Sequence, residues 1–149
     1  MRRHDIGSDA GFSLVEIVIT IAIVGVTFSA ILGGLFASIT VSALQQKEAT
    51  ADTVARSAAE VVKDSGHNPY KNNCPGPGAY SLAGLSVPSG FSVHITDITY
   101  WDGQPPAGGA VVFQSNCPSD RGMQRITIAA TSADGQATET VQVIKRRVP

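Results

Sequence analysis

From Ile17 to Gln46 the chain has no charged residue, and before Pro69 it has no proline. The lack of charge excludes an ordinary solvated helix, which needs a polar face along its length. The lack of proline removes the residue that most reliably breaks a helix. A run of roughly 25 apolar residues, each rising about 1.5 Å, is long enough to cross the hydrocarbon core of a bilayer. Catalytic signals are missing too: there is no Gly-x-Ser-x-Gly, no phosphate-cradling glycine loop and no histidine beside a plausible nucleophile. His67 and His94 stand near Asp64 and Asp97, two isolated pairs that lack the ligand count of a zinc site. Asp97 and Asp102 do not have the spacing of a calcium-binding EF-hand loop. The reading is therefore of a protein that is not an enzyme, with no metal and no cofactor. A net charge of −1 over 149 residues also lacks the basic excess of a general nucleic-acid binder.

What is present begins at the junction of a short polar leader and the apolar run, Gly11-Phe12-Ser13-Leu14-Val15-Glu16. An ionised carboxylate in a membrane helix costs a few kcal/mol unless it is paired or close to the interface. Glu16 therefore has two readings, an interfacial hydrated group or a group with a partner. The apolar run exceeds the 7 to 15 residues of a secretory h-region, and its one small-x-small cleavage candidate, Ala49-Thr50-Ala51, lies far downstream. Arg2 and Arg3 favour a cytoplasmic amino terminus, a contrast that Asp5 and Asp9 weaken.

Gly11, Phe12, Leu14 and Glu16 in this arrangement closely resemble the processing site of type IV prepilins and pseudopilins. The resemblance implies cleavage between Gly11 and Phe12 by a prepilin peptidase, N-methylation of Phe12, and pairing of Glu16 with the free amine of a neighbouring subunit. It also implies other pilin subunits, an assembly ATPase and its membrane platform protein as partners. Many major pilins carry proline where this chain has Gly33. Gly33-Gly34 either loosens the helix, at about 1 kcal/mol per glycine, or lets helices pack closely.

The chain then divides as leader 1–11, transmembrane helix 12–36, amphipathic continuation 37–65, and an extracytoplasmic loop and sheet domain 66–149. Over 42–65, Leu44, Ala51, Val54, Ala55, Ala58, Val61 and Val62 recur at helical spacing opposite charged residues. Lys63 falls in the last turn and Gly66 at the stop position. Residues 66–90 are rich in turn formers and read as an irregular connection, with a short strand near Tyr80 to Leu82. Phe91, Val93 and Ile95 alternate on one face, and Ile98 and Tyr100 continue on the other parity, which predicts a bulge near Thr96-Asp97. Ala110 to Phe113 reads as a short strand. Strands 124–132 and 136–144 flank Asp134-Gly135, the preferred pair of a two-residue type I′ turn. That register sets Ile126 opposite Val143 and Ile128 opposite Val141.

A small, Gly- and Pro-rich domain gains from a covalent staple. Cys74 and Cys117, both followed by proline and both on the side of the membrane where disulfides persist, are expected to be bonded. The hairpin register also gathers Arg121, Arg125, Lys145, Arg146 and Arg147 at one end of the last two strands. Such a patch is a solvated end near the carboxyl terminus, or it holds an acidic surface or a phosphate backbone.

The expected fold is α+β: a long amino-terminal helix, transmembrane and then amphipathic, packed on a small antiparallel sheet as in pilins. The expected role is a structural subunit, held in the cytoplasmic membrane by a single pass with its amino terminus inside and then assembled into an extracytoplasmic filament. The missing proline at Gly33 and the small polar domain lean towards a minor pilin or pseudopilin. The alternative is a single-pass anchor carrying a β domain that binds a ligand as a monomer.

Overall fold

One helix, α1 (Leu14–Lys63), carries the chain from its apolar start to its charged end without interruption. The computed structural model describes residues 13–104 and 111–148. Two units can be distinguished, Met1–Ser42 and Ala43–Pro149.

In the first unit every described side chain is exposed. This helix is long and apolar enough to cross a membrane, and none of its most apolar window is buried within the protein. Its hydroxyls are satisfied locally. Thr20 Oγ1 donates to the Glu16 carbonyl at 2.7 Å, Ser29 Oγ to Gly25 at 2.8 Å, and Thr27 and Thr40 to the carbonyls four residues back at 3.0 Å. Such back-bonding hides the hydroxyl from a medium that offers it no partner.

The second unit contains the rest of α1 and four strands: β1 (Phe91–Trp101), β2 (Phe113–Gln114), β3 (Met123–Ser132) and β4 (Thr138–Arg146). They form one antiparallel sheet in the order β2-β1-β3-β4. Ala51, Val54, Ala55, Ala58, Ala59 and Val62 are buried along one face of α1. Four of those six are alanines, so the helix backbone can come close to the sheet and the bulk is supplied by the strands. Ile126 and Ile128 are fully buried on β3, and Val143, Ile98 and Tyr100 pack beside them. The register shift between Ile95 and Asp97 leaves Thr96 and Asp97 both exposed and returns Ile98 and Tyr100 to the core side. An uninterrupted period of two would have turned them to solvent.

The β3–β4 register is the expected one, with Ile126 opposite Val143 and Ile128 opposite Val141. The turn differs. A type I′ turn needs positive φ at both central residues, but only Gly135 has it, at 70°. Instead Gly135 N donates to the Ser132 carbonyl at 2.8 Å and Ser132 N to that of Ala137 at 2.9 Å, so residues 133–136 form a wider loop. Asp134 explains the change. Its carboxylate bonds Lys47 Nζ on α1 and accepts from Ser132 Oγ at 2.6 Å and Gln136 N at 3.2 Å. The hydrogen bond from Lys47, helped by the other two, holds this carboxyl below the ordinary aspartate range.

Gly66 does not take the left-handed conformation expected of a helix stop. The last carbonyls of α1 find partners elsewhere: Lys145 Nζ donates to Val62 O at 2.5 Å and Asn68 Nδ2 to Val61 O at 2.9 Å. With those acceptors occupied, a glycine cap has nothing to satisfy. The expected strand near Tyr80 to Leu82 is likewise replaced, here by a 3-10 turn over Pro77–Ala79. This segment is held by side chains rather than by a ladder. Asn68 Oδ1 accepts from Ser81 N at 2.8 Å, Tyr80 Oη donates to Gln124 Oε1 at 2.7 Å, and Gln124 Nε2 donates to Lys71 O at 2.8 Å. The strand expected from Ala110 is formed at Phe113–Gln114, its first expected residue lying outside the described ones. Cys74 and Cys117 are bonded.

Candidate functional site

Gly11 and Phe12 lie outside the described residues; the helix they lead into does not. Ser13 O accepts from Glu16 N at 2.9 Å and Ile17 N at 3.2 Å, which places Glu16 in the first turn of α1. A carboxylate there is favoured by the unpaired N–H groups of the helix start. With Thr20, Thr27, Ser29 and Thr40 bonded back to the helix, Glu16 is left as the single ionisable side chain between Ser13 and Gln46. Its carboxylate has no hydrogen-bond or ion-pair partner among the described residues. Chemically this is an acceptor for an external cation or donor, at the membrane-entering end of an otherwise self-satisfied helix.

The second unit offers a different surface. Of the five basic residues expected to gather at the end of β3 and β4, the structure brings three together. Arg121, Arg146 and Arg147 line a groove of about 470 Å³ with Trp101 and Met123. Strand parity removes Lys145, which faces inward, is buried, lies 5.5 Å from the Tyr80 ring centre and caps α1. Burial holds its pKa below the ordinary lysine value. Arg125 shares the outward face with Arg146 but is already engaged. Its guanidinium lies 4.9 Å from the centre of the Phe113 ring and its Nε donates to Thr99 Oγ1 at 3.1 Å.

The two arginines outside the ladder are positioned by glycines of positive φ. A side chain at Gly103 (φ 81°) would come within 2.9 Å of the Arg121 stem, and one at Gly122 (φ 82°) within 3.3 Å of the Arg147 guanidinium. Arg147 N also donates to Gly122 O at 2.9 Å. Asp120 fixes the turn that presents Arg121, its Oδ1 accepting from Tyr70 Oη at 2.6 Å and Gly122 N at 2.7 Å. Trp101 and these glycines carried no signal in the linear sequence, because only strand register and loop closure bring them to the arginines. Among the described residues no three His, Cys, Asp or Glu side chains come together as a metal site.

Comparison with curated proteins and with solved structures finds no match. Residues 7–32 match the family model of the prokaryotic N-terminal methylation motif, so the chain carries at its amino-terminal end the signature of type IV prepilins and pseudopilins.

Proposed function

We propose that the chain is a structural subunit, a minor pilin or pseudopilin, of a type IV pilus or a type II secretion-like filament. In this reading a prepilin peptidase cuts between Gly11 and Phe12, Phe12 is N-methylated, and the helix waits in the cytoplasmic membrane with its amino terminus inside. An assembly ATPase and its platform protein then draw the subunit into a filament alongside other pilins. The observation that carries the reading is the motif at residues 7–32 with Glu16 as the one ionisable group of the apolar run. Alone in lipid that carboxylate costs a few kcal/mol, and a neighbour's amine removes the cost only when the helices are correctly staggered. Apolar helices gain little from one another in a bilayer, so this pairing supplies the register that apolar contact does not.

Two substitutions separate processing from assembly. Glu16→Leu is expected to insert and to be cut, yet to enter filaments poorly. Gly11→Val is expected to keep the leader and so never to free the Phe12 amine. The size of the membrane-held form and the subunit's share of sheared filaments read the two steps independently. Normal incorporation of Glu16→Leu removes the assembly role. An intact Met1 on the mature protein favours instead a monomeric anchored binding module.

A further inference from the structure

The net charge of −1 conceals a polarised surface. Lys47, Arg56 and Lys63 are each paired with a carboxylate, of Asp134, Asp52 and Glu60. Arg121, Arg146 and Arg147 have no carboxylate partner among the described residues, and no acidic side chain lines the groove they share. The two nearest acids in sequence are engaged elsewhere: Asp102 Oδ1 accepts from Gln104 N at 2.9 Å, and Asp120 Oδ1 accepts from Tyr70 Oη and Gly122 N, with its Oδ2 buried. Three guanidiniums are thus concentrated in one place, two of them laid across glycine turns whose backbone sets their position. Guanidinium forks match phosphate oxygens in pairs.

Phosphate alone would not need the fourth wall of the groove, which is Trp101. The indole is anchored by its own N–H, donating to Gln104 O at 3.3 Å. It stands on the outward row of the sheet, paired with Phe113 on β2, while Met123 of the same row pairs with Arg146. Arg147 Nη1 donates to Asn72 Oδ1 at 3.4 Å, a neutral partner that leaves its charge in place. A tryptophan beside guanidiniums that no described carboxylate neutralises is a surface on which a planar base stacks while its phosphates are neutralised. The groove also continues. Across Arg146, Arg147 and Val148 lies a second one, of about 610 Å³, bounded by Lys63, Tyr70 and Asn72, so the same two arginines border both grooves.

We infer that Trp101, Arg121, Arg146 and Arg147 form a binding site for single-stranded nucleic acid. A duplex fits this arrangement poorly, because its base faces are stacked inside and only its phosphates would meet the groove. A phosphate polymer without aromatic rings would leave Trp101 unused. All four residues belong to the second unit, whereas Glu16 belongs to the first.

Trp101 is the only tryptophan in the chain, so its fluorescence reports on the site directly. The full chain in a zwitterionic detergent is titrated with a 12-nucleotide oligothymidylate, the corresponding duplex and inorganic polyphosphate. The single strand is expected to quench Trp101. Three phosphate contacts give a slope of about −2 in log affinity against log salt. Arg146→Gln with Arg147→Gln should bring the slope to about −0.7, and Arg121→Gln alone to about −1.4. A Cys74–Cys117 bond and a circular dichroism spectrum like those of the parent establish that the variants fold. Glu16→Leu should bind as the parent does. Absence of quenching overturns the inference, as does quenching unaltered in the arginine variants. Equal affinity for duplex or for polyphosphate replaces it with an anion site that has no base recognition.

Discussion

Tyr70, Tyr80 and Tyr100 all have hydroxyl pKa values above the ordinary 10.0, in each case chiefly because burial disfavours the phenolate. Tyr70 is the furthest displaced, since its hydroxyl also donates to the Asp120 carboxylate at 2.6 Å. A group whose folded pKa is raised contributes stability that is complete below its unfolded pKa and is lost as pH climbs through the folded one. The second unit should therefore be steady from neutral pH to about 9 and weaken progressively above about 10, where free tyrosine ionises. Tyr70→Phe should flatten that alkaline loss whatever it does to stability at pH 7. Urea midpoints at pH 8 and pH 11 for parent and variant measure it, and equal slopes would exclude Tyr70 as the main cause. Lys145 acts in the opposite sense in this range, because its lowered pKa makes the folded state easier to hold once the amine is neutral.

At the scale of the element, the contact between α1 and the sheet depends on small side chains on the helix. Ala58 is fully buried, while Ser57 beside it is exposed. Ala58→Leu should cost about 1–3 kcal/mol, because the added volume must push the helix off Ile126 and its neighbours or force their rotamers. Ser57→Leu, with the same side chain introduced one position along, should change stability by less than about 0.5 kcal/mol. Chemical denaturation of the two proteins compares them directly. Similar losses in both would mean that helix propensity rather than packing decides this face. Helix length and most of the buried positions of α1 were legible from the charge-free run and the 3.6-residue spacing after it; of the expected face, Leu44 is exposed and Val61 half-buried, while Ala59, which was not expected, is buried. The end of the helix was legible too, since Lys63 stands in its last turn; the way its carbonyls are satisfied was not, because Lys145, which with Asn68 takes the place of a glycine cap, is distant in sequence.

In the molecule as a whole, the Cys74–Cys117 bond spans 43 residues and fastens the irregular connection to the loop leading into β3. Asn73 and Cys74 both have positive φ, at 65° and 54°, a conformation that non-glycine residues adopt at a cost and keep only where surrounding contacts impose it. Replacing both cysteines with alanine should remove about 3–4 kcal/mol by the chain-entropy relation. The turn that presents Arg121 lies just beyond Cys117, so the same variant should loosen the basic groove before the sheet unfolds. Denaturation with and without reductant tests the first expectation. Hydrogen exchange at residues 119–122 tests the second, and full protection there in the variant would show that Tyr70 and Asp120 hold the turn unaided.

The sequence by itself determined whatever depends on near neighbours. An uncharged run of this length can only be hidden in lipid or protein; alternation with a parity change requires a bulge; and Asp-Gly between matched strands sets a register that any closing turn must keep. The methylation-motif signature over residues 7–32 is equally local, because it is a linear stretch of chain. Tertiary structure decided what each basic residue does. Arg121, Arg125, Lys145, Arg146 and Arg147 look alike in the sequence, yet strand parity buries Lys145 against α1, Phe113 covers Arg125, and glycine turns at 103 and 122 set the two loop arginines, Arg121 and Arg147, in one groove with Arg146 and Trp101. The physical reason is that charge in a sequence is only a count, whereas solvation and partners, which give a charge its chemistry, are fixed by distant segments meeting in the fold.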